Sequence, residues 1–490
     1  MSEWPASPII YEINTWVWLQ ELSERFGYPV TLGTVPEEAI EEVVQWNPDA
    51  VWLMGVWERS PKGREIAREH PDLQKEFRRV LPDFRPEDVV GSPYAVYRYA
   101  VDPHYDGAEG LAAFRARLDE SDIKLILDFV PNDVAIDHPW TTEHPEYLMQ
   151  GTEKDLEEHP GIYFRSGDHI FAHGRDPYYP AWTDTVQINI NNYAAREALA
   201  ETAENIAEMC DGVRCDMAML LVQEVFERTW DEQEASVSEF WPELIGKVKQ
   251  SAPNFLFIAE VYWEMEAKLH ELGFNYCYDK ALYDKIKEEG PTTVRDHLRT
   301  NVMYQKKLVR FVENHDEPRA ADALGWRRSM VGAVLTSTLP GATLFYEGQF
   351  EGRRVKIPVQ LGRRPDEPVD EDIQKLYRSL TRELNRPIYH RGEWRLLEAL
   401  PSWEHGETHE NIIAFQWQDG YDYSVIVVNL SFERSDAYIR LEREGLSHRV
   451  WEIWDVANNK RYTRDGGYLE KSGLYVDLPP FGCHLMVFQK

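Results

Sequence analysis

The 490-residue sequence is poor in cysteine, with only Cys210, Cys215, Cys277 and Cys483. None forms a C-x-x-C pair, so neither a thiol redox motif nor a common zinc framework is indicated. So few thiols fit a reducing compartment. The stretch MSEWPASPIIYEINTWVWL has neither a basic leader nor a long apolar core, and no signal peptide is expected. No run approaches the roughly 20 apolar residues that a membrane helix needs. The expectation is a cytoplasmic protein with no membrane partner. Basic residues are also scarce, 53 Lys and Arg against 85 Asp and Glu, for a net charge of −32. Such a polyanion is a poor partner for nucleic acid or an anionic bilayer.

Aromatics, by contrast, are abundant, with 17 Trp and 25 Tyr. Core packing accounts for most of them, and some rings can stack on the apolar face of a pyranose. Short apolar runs recur along the chain: IIYEINT, AVWLMGV, KLILDFV, GVRCDMA, FLFIAEV, NYCYDKAL, LVRFVENH and ATLFYEG. They read as strands buried on both faces, as in a parallel sheet. Amphipathic segments such as EGLAAFRARLDESD and REALAETAENIAEMC separate them. Alternation of about eight strands with helices predicts a (β/α)8 barrel. A doubly wound open sheet is the alternative, but the glycine-rich loop it would carry after its first strand is missing.

Two segments depart from the repeat. Residues 133–185 are irregular and rich in His, Pro, Tyr and Trp, too long for an ordinary connection, and predict an inserted subdomain. Beyond about Pro387, the runs NIIAFQW, YSVIVVNL, RVWEIWD, LYVDLP and HLMVFQ follow one another without helices. They predict a C-terminal antiparallel β-sandwich over residues 388–490. The barrel is then formed by residues 1–132 and 186–387.

Barrel enzymes place their chemistry at the C-terminal ends of the strands. Four such ends carry acids: Asp128 with Asn132 and Asp133, Asp216 beside Arg214, Glu260, and Asp316 beside His315. A lone strand-end Asp is more often a helix cap or a turn former. Four in one barrel argue for a site. In GVRCDMA, alternation turns Arg214 and Asp216 to one face, where the guanidinium favours the ionised carboxylate that a nucleophile must be. Glu260 lies among Phe257, Ile258, Ala259 and Val261, and desolvation there favours the protonated form required of a general acid. One charged and one neutral carboxyl is the pairing of retaining glycoside cleavage.

In order and spacing, LILDFVPND, DGVRCDMA, FIAEVYW and FVENHD resemble the conserved regions of the α-amylase family of α-glucan-acting hydrolases and transglycosidases. IIYEINTW, GSPYAVYRYAVDPHYDG and PGATLFYEGQ resemble its first strand, second-strand loop and last strand, so the resemblance covers nearly the whole chain. It implies that Asp216 is the nucleophile, Glu260 the acid/base and Asp316 the third catalytic acid. It also implies that Arg214 orients the nucleophile, Asp128 supports that arginine, His315 binds hydroxyls of the cleaved glucose and Tyr94 stacks on the same ring. Glu313 and Arg319 are expected to be neighbours only.

The sequence departs from the family at three places. Asp133 stands where a histidine commonly meets the glucose hydroxymethyl group, which puts the sugar preference in question. MAMLL follows the nucleophile in place of a Lys-His pair, and Asn189 in QININ stands where Asp is common. Both changes weaken a structural calcium at Asn132, and no cofactor is expected. Tyr178, Tyr179 and Trp182 of the insert either shape acceptor subsites or pack the insert. The resemblance implies a retaining hydrolase of α-glucosidic bonds in maltooligosaccharides or related α-glucosides. A transglycosylase or phosphorylase would use the same glycosyl-enzyme. An inactive binding subunit would be expected to have lost catalytic carboxyls, and all three are present.

Overall fold

A computed structural model describes residues 3–231 and 238–489. Eight parallel strands close into a barrel: β1 (Ile9–Asn14), β2 (Ala50–Met54), β3 (Lys124–Phe129), β4 (Gly212–Cys215), β5 (Leu256–Ala259), β6 (Tyr276–Tyr278), β7 (Leu308–Arg310) and β8 (Ala342–Tyr346). Each pairs with its neighbours in sequence, and β1 closes the ring against β8. All eight are buried along their full length, which is why they read as continuous apolar runs. Helices between the strands cover the outside. One of them, Tyr193–Met209, starts at Asn192, whose side chain accepts from the N–H groups of Ala194 and Ala195. The predicted barrel is therefore present.

Two excursions leave the mouth of the barrel. One follows β3 and is closed at its base by antiparallel strands Asp133–Ala135 and Thr185–Gln187. It carries a second short pair, Tyr163–Ser166 with His169–Ala172. The other follows β2. It runs through strand Trp57–Arg59, helices Pro61–Glu69 and Pro71–Val80, and strand Val96–Val101, which returns antiparallel to the first. This second excursion was not expected from the sequence. Its helices are amphipathic and its loop polar, so nothing in composition separates it from the barrel repeat.

After the barrel come β9 (Glu393–Leu400), β10 (Ile412–Asp419), β11 (Asp422–Asn429), β12 (Ser435–Arg440), β13 (Val450–Asp455), β14 (Lys460–Asp465), β15 (Leu474–Leu478) and β16 (Cys483–Gln489). They form an antiparallel sheet of order β14-β13-β16-β11-β10-β9-β12-β15. β9 belongs to both halves, pairing with β10 through Glu393–Leu397 and with β12 through Glu398–Leu400. Leu397, Tyr423, Ile439, Trp451 and Val476, drawn from both halves, share one apolar cluster. This is the expected C-terminal antiparallel β domain. It is tied to the barrel where Trp417 Nε1 donates to the Thr338 carbonyl at 2.7 Å.

Candidate active site

The strand ends converge on Arg214. In register it lies beside Asp128 of β3 and Ile258 of β5. Ladder-type bonds continue past the strand ends. Asp216 N–H donates to Phe129 O at 2.8 Å, Glu260 N–H to Cys215 O at 3.0 Å, and Ala218 N–H to Glu260 O at 3.0 Å. The main chain thus fixes both carboxyl-bearing residues before any side-chain contact forms.

The Arg214 guanidinium is fully buried and holds three of the predicted acids at once. Nη1 meets Asp216 Oδ1 at 2.5 Å, while Nη2 meets Glu260 Oε2 at 2.8 Å and lies 3.6 Å from Asp316 Oδ2. Asp128 stands 4.0 Å away, and its Oδ2 accepts the Gly55 N–H at 2.8 Å. Gly55 has φ +78°, and a Cβ there would come within 2.6 Å of Pro93. That glycine therefore lets the second-strand loop pass close over Asp128. Trp52, Tyr94 and Tyr278 present ring faces to the guanidinium at 5.5, 5.2 and 5.8 Å. Glu260 is completed by Met217 N–H at 2.8 Å and Tyr262 OH at 3.0 Å.

His315 is the second hub. Its Nδ1 meets Glu12 Oε1 at 2.5 Å, and its Nε2 meets Asp316 Oδ2 at 2.9 Å and Tyr94 OH at 2.6 Å. The Tyr94 and His315 rings stack at 5.3 Å between centroids. The structure thus brings together Asp128, Arg214, Asp216, Glu260, His315, Asp316 and Tyr94.

Asp133 is buried at the base of the insert. Its Oδ2 accepts from Asn132 Nδ2 at 3.0 Å, and a Cβ on Gly174 would come within 2.4 Å of that same oxygen. The carboxyl is packed between the barrel and the returning insert. Burial, followed by the negative charge of Asp216, raises its pKa well above the carboxylate range.

The charges divide in two. Burial pushes Asp216 up to about 7 and also raises Glu260, and attraction to Arg214 offsets this only in part. From the sequence, Arg214 was expected to keep Asp216 simply ionised. Instead, desolvation and the neighbouring Glu260 outweigh the one guanidinium, so the two carboxyls titrate as a pair. Burial also works against charge at Asp316 and His315, but there the two partners outweigh it. Asp316 lies below the usual carboxylate range, and His315, held between Asp316 and Glu12, rises to about 10. Asp128 is raised by burial to about 6.

Several participants were missed in the sequence. Glu12 is fully buried in β1 and was legible as a lone acid inside the apolar run IIYEIN. Tyr262 and the Met217 N–H carried no sequence signal. Met217, Trp263 and Glu264 adopt φ of +43°, +62° and +59°. Such non-glycine positions cost of order 1–3 kcal/mol each and cluster at functional sites. Together with Tyr262 they line a cleft of about 550 Å³ beside Glu260, which Tyr179 of the insert also borders. Tyr178 packs edge-on against Trp263 at 5.0 Å. Trp182 instead returns the insert, with its N–H bonded to Gly174 O at 2.8 Å. Glu313 and Arg319 form a buried pair at 2.7 Å that braces the loop after β7, away from the carboxyl cluster.

The donor set at Asn132 does not fit a calcium ion. Gln187 Nε2 reaches Asn132 Oδ1 at 3.1 Å, Asn132 O at 2.7 Å and Ile188 O at 3.2 Å. An amide donor thus stands where these oxygens converge. The Asn189 side-chain oxygen accepts from Asn191 N–H at 3.0 Å.

Residues 85–389 match the alpha amylase catalytic domain. The chain is 22% identical over 325 residues to alpha-amylase 3 of Dictyoglomus thermophilum, a match covering 61% of each protein. It is 25% identical over 367 residues to an alpha-1,4-glucan:maltose-1-phosphate maltosyltransferase of Corynebacterium glutamicum, covering 70% of this chain and 47% of that one. The chain spans less than two thirds of the length of either curated relative. A solved maltogenic alpha-amylase of Thermotoga neapolitana shares the fold with a TM-score of 0.69 at 18% identity, over 99% of both chains. The family match runs from before β3 to beyond β8 and takes in more than half of the sequence, and this chain belongs to the α-amylase family.

Proposed function

We propose that the protein is a retaining α-glycoside hydrolase acting on α-glucosidic bonds of maltooligosaccharides or related α-glucosides. The observation that carries this reading is the sharing of one buried guanidinium by Asp216 and Glu260 through its two adjacent Nη atoms. Retention needs the two carboxyls about 5–5.5 Å apart, whereas inversion needs about 6.5–9.5 Å to admit a water. A common fork supports the shorter spacing.

Asp216 attacks the anomeric carbon while Glu260 gives its proton to the departing oxygen. The raised pKa of both carboxyls fits a pair that holds one proton at neutral pH. As the glycosyl-enzyme forms, the negative charge of Asp216 is consumed in the ester bond. Glu260 becomes ionised beside Arg214, and then takes the proton of an incoming water. Asp316, kept anionic by His315, favours the positive charge that develops on the sugar ring. Tyr94 and His315 form the wall on which the cleaved glucose rests.

Transfer to a second saccharide is the reading next in line, because the aromatic cleft beside Glu260 suits a sugar acceptor. Phosphate is a poorer acceptor there. Asp176, Glu264, Glu266, Asp284 and Glu289 border the cleft against only Lys280 and Lys285. Lys280 is already paired with Asp284 and Glu317, and Lys285 with Glu289.

A maltoheptaose time course with and without phosphate tests the reading, with proton NMR of the first product anomer. Short α-anomeric products that do not depend on phosphate are expected. A β-anomer would overturn retention, products longer than the substrate would select transfer, and a sugar phosphate would select phosphorolysis.

A further inference from the structure

We infer that the substrate-binding site is closed at its glycone end, so that the enzyme removes short units from the non-reducing end of a chain and does not cut internally. This rests on the proposed hydrolase reading, which sets the direction of the substrate. Glu260 must stand at the leaving oxygen, so the open cleft at Met217, Tyr262 and Trp263 takes the leaving group. The glycone therefore extends the other way, past Tyr94, His315 and Asp316.

That side is walled off by two segments bonded to one another. One is the excursion after β2, and the other is the loop after β8, from Glu347 to Asp370. Val90 N–H donates to Gln360 O at 2.8 Å and Gly362 N–H to Asp88 O at 2.8 Å, on either side of a Val89–Leu361 bridge. Arg363 clamps Asp88 from Nε and Nη2 at 2.7 and 2.8 Å and reaches Asp83 at 3.0 Å. Within the excursion Arg59 Nη1 donates to Gly91 O at 2.8 Å, and it reaches Val359 O of the other loop at 3.5 Å. Beneath these bonds Val17, Phe77, Leu81, Val89, Ile357 and Leu361 form an apolar cluster of their own. The seam is thus a packed wall with its own core.

Both ends of the wall touch the reacting centre. Tyr94 follows four residues after Val90 and stacks on His315. Lys356, four residues before Gln360, donates its ammonium to the Asp316 main-chain carbonyl. The seam therefore starts within a few residues of the side chains that face the cleaved sugar, and a site closed there admits a short glycone. Glu260 and His315, with side chains 4% and 1% exposed, lie deep in the site, while Asp316 at 39% is its most open acid.

The test compares two maltoheptaosides carrying the same chromogenic aglycone, one with a free non-reducing end and one blocked there by an ethylidene group. Coupling glucosidase is omitted, and products are separated chromatographically. The wild type should cleave the free substrate with a kcat/KM about 100-fold or more above the blocked one, the scale of loss for a substrate held out of register. Its first products should be glucose or maltose from the non-reducing end. Arg363→Ala, which releases the half-buried clamp on Asp88 and Asp83, should narrow that ratio about tenfold, a loosening of roughly 1.4 kcal/mol. The ratio does not depend on how much protein is folded. Equal cleavage of both substrates with internal products would overturn the closed end and leave the hydrolase reading intact. Cleavage of neither substrate would overturn the hydrolase reading, and the closed end with it.

Discussion

The two halves of the carboxyl cluster meet in the barrel mouth, yet they carry opposite electrostatic fates. Asp316 faces the His315 imidazolium, which Glu12 backs from the other side, and the positive charges of Arg214 and Lys356 also act on it. Asp216 and Glu260 must share the single guanidinium of Arg214. The first carboxylate falls below its usual range and the other two rise above it. His315, Arg214 and Lys356 all act on Asp316, whose side chain is also the most exposed of the three at 39%, whereas Arg214 is the chief cation opposing burial at Asp216 and Glu260. A fixed anion beside a pair that trades one proton is the division of labour that glycosidic cleavage requires.

The sharpest way to break this comparison is to remove one crowded acid. Asp216→Asn should lower kcat by about 10⁴-fold or more. It should also raise Tm at pH 8. The folded pKa of Asp216 is about 7, above its unfolded value, so stability is lost as pH rises through that interval. Asn escapes this loss. A lower Tm at pH 8 would mean that the carboxylate is held more by Arg214 than it is opposed by burial and by Glu260. Glu260→Gln should cost about 10²–10⁴-fold on alkyl glucosides. In kcat/KM it should cost far less on a dinitrophenyl glucoside, whose leaving group needs no proton, because kcat/KM reads only the steps before water enters. Equal losses on both substrates would take the acid role away from Glu260.

A smaller effect probes the matched half. Glu12→Gln should lower kcat/KM about tenfold and bring the imidazole titration down from about 10, read by NMR of the His315 ring. An unmoved titration would show that Asp316 alone sets the imidazolium. The pH profile probes the other half. The acid limb of kcat/KM should lie near pH 7, where Asp216 loses its proton, and a limb near pH 4 would mean Arg214 holds it ionised in the empty enzyme. The smallest expected effect is none: a chelator should leave Tm unchanged, because the Gln187 amide already bridges the oxygens at Asn132.

Much of the site was legible because strand-end acids stand out against apolar runs. Asp128, Asp216, Glu260 and Asp316 were found by that contrast. Glu12 gives the same contrast inside IIYEIN, but it lies at a strand interior rather than an end, and its partner His315 is 303 residues away. By position Asp133 could meet a sugar hydroxyl or lie outside the site. Only the returning insert, with Gly174 pressed against its oxygen, places the carboxyl in the junction. The wall opposite the cleft was illegible for another reason. Its two segments lie 270 residues apart, and the sequence holds no periodicity that would pair Val90 with Gln360.

By itself the sequence determined the barrel, its C-terminal β domain and the order of the carboxyl-bearing strands, because alternation of buried runs and amphipathic helices is a local pattern set by burial. Tertiary structure alone decided which acids are charged and which end of the site is open. Both depend on distances between side chains and loops far apart in the chain, and electrostatic and packing energies depend on distance.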